Sequence, residues 1–181
     1  MASSMEFEKT YLCPEIPTQY ISGEPTRMID AYIPEVSDHP KLRLRQKGNT
    51  YEITKKTPVD NDPSQQLEET IGLTKEEFDT LLGASMRRIE KLRVPLTYEG
   101  FEGELDVFGG EHAGLVLVDF EFANTDDQEK FGQPSFCSAD VTLEDAIAGG
   151  ILSGLKHEEL FAILRDKYGY EPVNVTGFNE S

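Results

Sequence analysis

The feature that most constrains this chain is a two-residue alternation in which one side of each extended segment is apolar and the other charged. Side chains two apart on a strand share a face, about 6.6–6.8 Å from one another along it. Near 115–123, Val116, Val118, Phe120 and Phe122 form one face while Leu117, Asp119 and Glu121 form the other. Leu42 and Leu44 oppose Arg43 and Arg45, Leu92 and Val94 oppose Lys91 and Arg93, Leu105 and Val107 oppose Glu104 and Asp106, and Ile53 opposes Thr54 and Lys56. With the turn residues between segments, this alternation predicts eight strands, near 5–12, 27–34, 40–47, 49–57, 65–71, 87–98, 101–109 and 115–123. Lys47-Gly48-Asn49 and Tyr98-Glu99-Gly100 read as tight hairpin turns, which implies antiparallel pairing. Helical patterns fall at about 74–83, after a capping Thr74 with Glu77 three residues on, and at 125–132, 143–154 and 156–168.

The plainest use of such strands is an antiparallel sheet with its charged face in water. The distribution of sign argues for something else. Arg43, Arg45, Lys56, Lys91 and Arg93 sit on central strands, whereas Glu6, Glu8, Asp106, Asp119 and Glu121 sit on others. Solvated faces mix their signs. Closing eight strands would also remove the sheet edges, with amphipathic helices over an apolar outer wall. The expected fold is therefore α+β and mainly β: an eight-stranded antiparallel closed β-barrel, a tunnel with a charged lumen and helices packed on the outside.

Two like charges about 4 Å apart repel by about 4 kcal/mol at an effective dielectric near 20. Clustered cations must be answered either by internal salt bridges to the carboxylates or by a polyanion that meets several at once, with bidentate contacts from arginine. Clustered carboxylates face the mirror-image problem, which hard, oxygen-preferring cations such as Mg²⁺ or Mn²⁺ solve. Both clusters in one lumen point to metal plus phosphate.

The net charge of −17 excludes nucleic acid and anionic membrane as partners of the general surface. A length of 181 residues suits a single domain over 1–181, with a core at 5–154 and an additional C-terminal helix and tail over 155–181, where Leu155, Leu160, Phe161 and Leu164 recur at helical spacing. Cys13 and Cys137 read as reduced thiols, which favours a cytoplasmic location. Apolar runs fall short of the roughly 18 residues of a membrane span, and Met1 to Met5 lacks the apolar stretch of a signal peptide. His39, His112 and His157 lack ligand spacing and read as surface residues, and neither Gly109-Gly110 nor Gly149-Gly150 continues into a phosphate loop.

In order and spacing, these segments resemble the CYTH superfamily, also called triphosphate tunnel metalloenzymes, over most of residues 5–142. Its N-terminal E-x-E-x-K signature is approached by Glu6-Phe7-Glu8-Lys9-Thr10. Lys41 to Arg45 resembles its paired-arginine strand, and Tyr51 to Lys56 the strand ending in a phosphate-binding lysine. Arg87 to Arg93 is similar to its K-x-R strand, and Glu104 to Phe108 with Leu117 to Phe122 resembles its paired acidic strands. The resemblance implies that Arg43, Arg45, Lys56, Lys91 and Arg93 hold phosphates, and that Glu6, Glu8, Glu68, Asp106, Asp119 and Glu121 hold metal. Glu104 and Tyr32 are candidate accessory groups, as is Arg27, whose facing the pattern leaves open, and the resemblance implies that water oriented by Mg²⁺ or Mn²⁺ attacks in line with no covalent nucleophile.

The activity so implied is metal-dependent hydrolysis of inorganic triphosphate or a small organic triphosphate, by a monomer or homodimer. A non-catalytic module binding polyphosphate or a nucleoside triphosphate is the second reading, and adenylate cyclisation the third. Three positions depart from the family. Thr10 stands where the family has lysine, and strand alternation points Lys9 to the opposite face. Loss of one preorganised electrostatic donor costs about 2.7–4 kcal/mol of barrier in other enzymes. Thr70 replaces an acid, and Ile147 to Leu152 lacks the usual tyrosine and asparagine, while Tyr32 keeps a family tyrosine.

Overall fold

The computed structural model of the chain describes residues 7–34, 42–59 and 62–176, with backbone alone for 56–59 and 62–67. Strands β1 (Phe7–Leu12), β2 (Thr26–Ile33), β3 (Leu42–Lys47), β4 (Thr50–Val59), β5 (Asp62–Leu73), β6 (Arg88–Tyr98), β7 (Phe101–Phe108) and β8 (Val116–Phe122) fall on the eight predicted segments. A ninth, β9 (Ala139–Asp140), was not legible, because two residues carry no periodicity. The strands form one antiparallel sheet in the order β5-β4-β3-β2-β6-β7-β8-β1-β9. Both predicted turns have the backbone that strand twist requires. Gly48 (φ 58) joins β3 to β4, and Glu99 (φ 49) with Gly100 (φ 85) joins β6 to β7.

The expectation of an eight-stranded closed barrel is corrected. Among the described residues the sheet has nine strands and does not close, because β5 and β9 are its ends. The edge of β1 is taken by β9, with Tyr11 and Leu12 opposite Asp140 and Ala139. A two-residue edge offers little to an incoming strand, and β5 presents the exposed Glu68 and Glu69. Shortness and charge protect edges that closure would have removed.

Helix α1 (Lys75–Leu82) begins at the predicted capping box: Thr74 Oγ1 accepts from Glu77 N at 3.2 Å, and Glu77 Oε2 from Thr74 N at 2.8 Å. Its Phe78 is fully buried near Ala31 and Leu44 on the outer face of the sheet, worth about 1.5–3 kcal/mol. Helix α2 (Thr125–Lys130) is capped by Asn124. The helix predicted over 143–154 breaks into a 3₁₀ turn at Asp145–Ile147 and the short α3 (Gly149–Leu152), because Ala148 between them is extended and Gly149-Gly150 is a poor helix interior. Helix α4 (His157–Tyr168) ends at Gly169 in the left-handed conformation (φ 65).

The apolar outer face carries Tyr11, Val94, Leu105, Val107, Val118 and Phe120, and is covered largely by Phe131, Phe136 and Cys137 from an irregular segment. Helices α3 and α4 pack elsewhere. Their Leu152, Leu160, Phe161 and Leu164 meet Leu12, Ile89, Phe108 and Leu117, which lie on the strand face that also carries the charges. The expectation that helices coat the outside therefore holds for α1, whereas α3 and α4 lie against one end of the charged face.

Candidate active site

Alternation along each strand, combined with the registers, brings residues from six strands to one face: Glu8 and Thr10 (β1), Asp30 and Tyr32 (β2), Arg43 and Arg45 (β3), Lys91 and Arg93 (β6), Glu104 and Asp106 (β7), Asp119 and Glu121 (β8). Two cavities lie along this face. One, of about 370 Å³, is lined by Arg43, Arg45 and Lys91 together with Asp30 and Asp106. The other, of about 620 Å³, is lined by Glu102, Glu104 and Glu121. Asp119 lines both.

In the first cavity the cations are held by carboxylates from neighbouring strands. Arg45 donates through Nε and Nη2 to Asp30 Oδ1 and Oδ2, both at 2.7 Å. Arg93 grips Asp106 the same way, Nε to Oδ1 and Nη2 to Oδ2 at 2.7 Å, while Nη1 bonds Glu104. Lys91 Nζ donates to Asp106 Oδ2, and Arg93 Nη2 stands 3.5 Å from Asp119 Oδ2. Internal salt bridging, one of the two answers the charge pattern left open, is thus what the chain makes on its own. Fork geometry fixes each guanidinium in a plane, which a single-point contact would not do. Arg43 differs: its Nε is buried with no hydrogen-bond partner among the described residues, a condition that costs about 1–3 kcal/mol.

The acids respond to these neighbours. Burial raises the Asp106 carboxyl, but Lys91 and Arg93 outweigh it and hold the group below its ordinary value. Asp119 is pushed up to about 6, first by burial and then by the charge of Asp106, against the hydrogen bond from Thr10 and the pull of Lys91 and Arg93. Tyr32 is pushed up to about 12, mainly by burial and then by Asp30.

The other candidates are placed as follows. Glu8 and Glu121 are exposed and stand opposite each other across β1 and β8. Lys56 occupies the β4 position opposite Glu68, two residues from Thr54, which pairs with Arg43. The side chain of Lys56 and the whole of Glu6 lie outside the described residues. Glu68 is exposed, and Thr70 Oγ1 lies 2.9 Å from Thr54 Oγ1, so a neutral hydroxyl pair fills the position of the missing acid. Thr10 Oγ1 donates to Asp119 Oδ1 at 2.7 Å, and Lys9 Nζ reaches Phe131 O at 2.9 Å on the opposite face, as alternation predicts.

Arg27 as an accessory group is corrected. It shares the outer face of β2 with Ile29 and Ala31, its Nη2 lies 3.4 Å from Glu90 Oε2, and its side chain is 62% exposed. His112, read as a surface residue, is buried with Nε2 2.8 Å from Leu152 O, and burial lowers its imidazole below the ordinary value. Two participants were missed. Asp30 was detectable, because it shares a strand face with Tyr32; Glu144, which lines the first cavity from a loop, had no periodic signal.

Carboxylate oxygens on β1, β7 and β8 are the donor chemistry a hard divalent cation prefers. Burial, and after it the charge of Asp106, disfavours an ionised Asp119, which a bound cation would favour. The acids fit in chemistry but are not preassembled: among the described residues no three His, Cys, Asp or Glu groups stand close enough to hold an ion. Nor, among those residues, is any helix long and apolar enough to cross a membrane.

No family model matches the chain. An inorganic triphosphatase of Nitrosomonas europaea is 33% identical over 139 residues, 76% of this chain and 89% of that protein. A second inorganic triphosphatase, of Acetivibrio thermocellus, is 41% identical over 54 residues, 30% of this chain and 33% of its own length. A crystal structure of an inorganic triphosphatase superposes with a TM-score of 0.67 at 27% identity, covering 86% of this chain and 98% of that one. Similarity over that share of both chains, on a sheet that gathers the predicted cations and acids on one face, leads to a single conclusion: the chain belongs to the CYTH superfamily, the triphosphate tunnel metalloenzymes.

Proposed function

We propose that this protein hydrolyses inorganic triphosphate along the charged face of its sheet. The observation that carries the reading is the convergence of Arg43, Arg45 and Lys91 on one cavity, with Arg93 beside them, in a chain of net charge −17. Four cations brought together against so negative a background suit a polyanion. Arg45 and Arg93 are already oriented by bidentate carboxylates, so a triphosphate meets guanidinium planes that need little ordering. Arg43 brings a buried donor that phosphate oxygen would satisfy. In this reading Lys56 extends the phosphate contacts from β4, and Tyr32 borders the site.

Glu8, Asp119 and Glu121 would hold Mg²⁺ or Mn²⁺, with Glu6, Glu68 and Asp106 in supporting positions and Glu104 steadying Arg93. Such an ion supplies neutralisation of phosphate charge and a polarised water. The side chains bind and orient the three phosphoryl groups. No side-chain nucleophile is required.

The deciding experiment incubates purified protein with inorganic triphosphate, thiamine triphosphate and ATP, each with Mg²⁺ or Mn²⁺. Phosphate release from inorganic triphosphate, faster than from the organic substrates, is expected. Thr10 favours the non-catalytic alternative, since its hydroxyl brings no positive charge to Asp119. Tight binding of triphosphate without turnover would establish that alternative, and cyclic AMP from ATP would establish a cyclase.

A further inference from the structure

The cavity lined by Arg43, Arg45 and Lys91 is bordered on the side away from the strands by the segment 142–152, which adds a carboxylate, Glu144, to its wall. A bare negative charge there would oppose any polyanion entering beside Arg43 and Arg45. Glu144 is not bare. Its Oε1 accepts from Ala146 N at 3.1 Å and from Lys167 Nζ at 3.2 Å. Its Oε2 accepts from Lys167 Nζ at 2.9 Å and from Tyr168 Oη at 2.8 Å. The side chain is 5% exposed, whereas that of Lys167 is 56% exposed, so the ammonium reaches the carboxylate from the solvent side. Burial raises the Glu144 carboxyl, but Lys167, the Ala146 amide and Tyr168 together bring it below its ordinary value, which keeps it ionised.

Lys167 and Tyr168 close α4, so the C-terminal helix, whose apolar side packs against the strands, turns its last two residues to the wall of the cavity. The same segment is held at other points. Arg87 Nη2 donates to Gly150 O at 2.5 Å, and His112 Nε2 lies 2.8 Å from Leu152 O. It also approaches the strands closely, since a Cβ at Gly149 would fall 2.0 Å from the Tyr32 hydroxyl oxygen. A small displacement of this wall is therefore felt inside the cavity.

We propose that Lys167 and Tyr168 are positioning residues for the phosphate site: they hold Glu144 in the cavity wall and offset its charge, so that the cavity admits a polyanion. The proposal rests on the triphosphate reading and gives the C-terminal helix a role in it. Removing the ammonium leaves Glu144 charged and facing the incoming phosphates. The cost is borne by binding, so KM rises while kcat holds.

Calorimetric titration of the full chain with sodium tripolyphosphate, without metal and at low ionic strength, tests this. Lys167→Met is expected to weaken tripolyphosphate binding about five-fold, the scale of one partly exposed ion pair, with the loss shrinking at high salt. Lys167→Arg retains wild-type affinity. In the Lys167→Met background, Glu144→Gln restores affinity, because the charge that needed offsetting is gone. Unchanged binding in Lys167→Met, or failure of Glu144→Gln to restore it, overturns the proposal; the latter shows α4 to be a structural support only. Tyr168→Phe, with an unfolding midpoint for each variant, separates loss of fold from loss of charge balance. Wild-type hydrolysis with an indifferent Lys167→Met sinks this inference alone, whereas a wild type that does not bind tripolyphosphate sinks both readings.

Discussion

The two cavities that meet at Asp119 are made by one face of one sheet, yet the first brings cations, with Arg43, Arg45 and Lys91 beside Glu8, Asp30, Asp106, Asp119 and Glu144, whereas the charged residues lining the second are all acids. In the first, Arg45 is locked to Asp30 by paired 2.7 Å bonds, and Lys91 bonds Asp106, which Arg93, beside the cavity, grips with a second such pair. In the second, Glu104 bonds Arg93 and Asp119 lies 3.5 Å from the same guanidinium, while Glu102 and Glu121 take no ion pair among the described residues. The difference follows from strand order. Strand β2 sits between the two cationic strands β3 and β6 and supplies Asp30 to one, while β7 supplies Asp106 to the other. Beyond β7 the neighbours are β8 and β1, which bring further acid, and Arg93 approaches β8 at Asp119 with the longer distance of 3.5 Å. A matched half arranges cations in advance for an anion; an unmatched half retains affinity for a cation.

The strongest way to break the comparison is Asp106→Asn. It strips the fully buried anion from Lys91 and Arg93, and the loss of stability is expected at about 3–5 kcal/mol in urea unfolding. Thr10→Lys would sharpen the boundary instead, by setting an ammonium beside Asp119. Triphosphate hydrolysis is expected to rise by about 10²-fold in steady-state phosphate release, and an unchanged rate would dismiss the missing cation as a determinant.

A smaller effect is expected from acidity. The Asp119 carboxyl is raised from 3.8 in the unfolded chain to about 6 in the fold, so between those values the folded state binds more protons. Its contribution to stability is present below pH 3.8 and is lost as pH rises through about 6. Urea midpoints of wild type should therefore lose more ground across that window than those of Asp119→Asn. The smallest change belongs to Glu102→Gln in the unmatched cavity, where stability should move by no more than about 0.5 kcal/mol.

Much of this was legible beforehand, for identifiable reasons. Leu117 to Phe122 and Arg43 to Arg45 announce their strands because alternation is a local property, and Thr74 with Glu77 marks a helix start through contacts three residues apart. The facing of Arg27 was not legible, because a lone arginine near a strand start carries no register of its own until Ile29, Ala31 and Glu90 place it. The helix predicted over 143–154 failed where Gly149-Gly150 and an extended Ala148 interrupt it.

By itself, then, the chain's order of residues determined which side chains share a face and which strands carry each sign, since both depend on neighbours two positions away. Only the tertiary structure decided that β9 rather than β5 would take the edge of β1, that Asp30 and Asp106 would answer the cations, and that the end of α4 would meet Glu144 at the cavity wall. These are contacts between segments far apart in the chain, and no local pattern encodes the partner an unpaired edge or a buried charge will find.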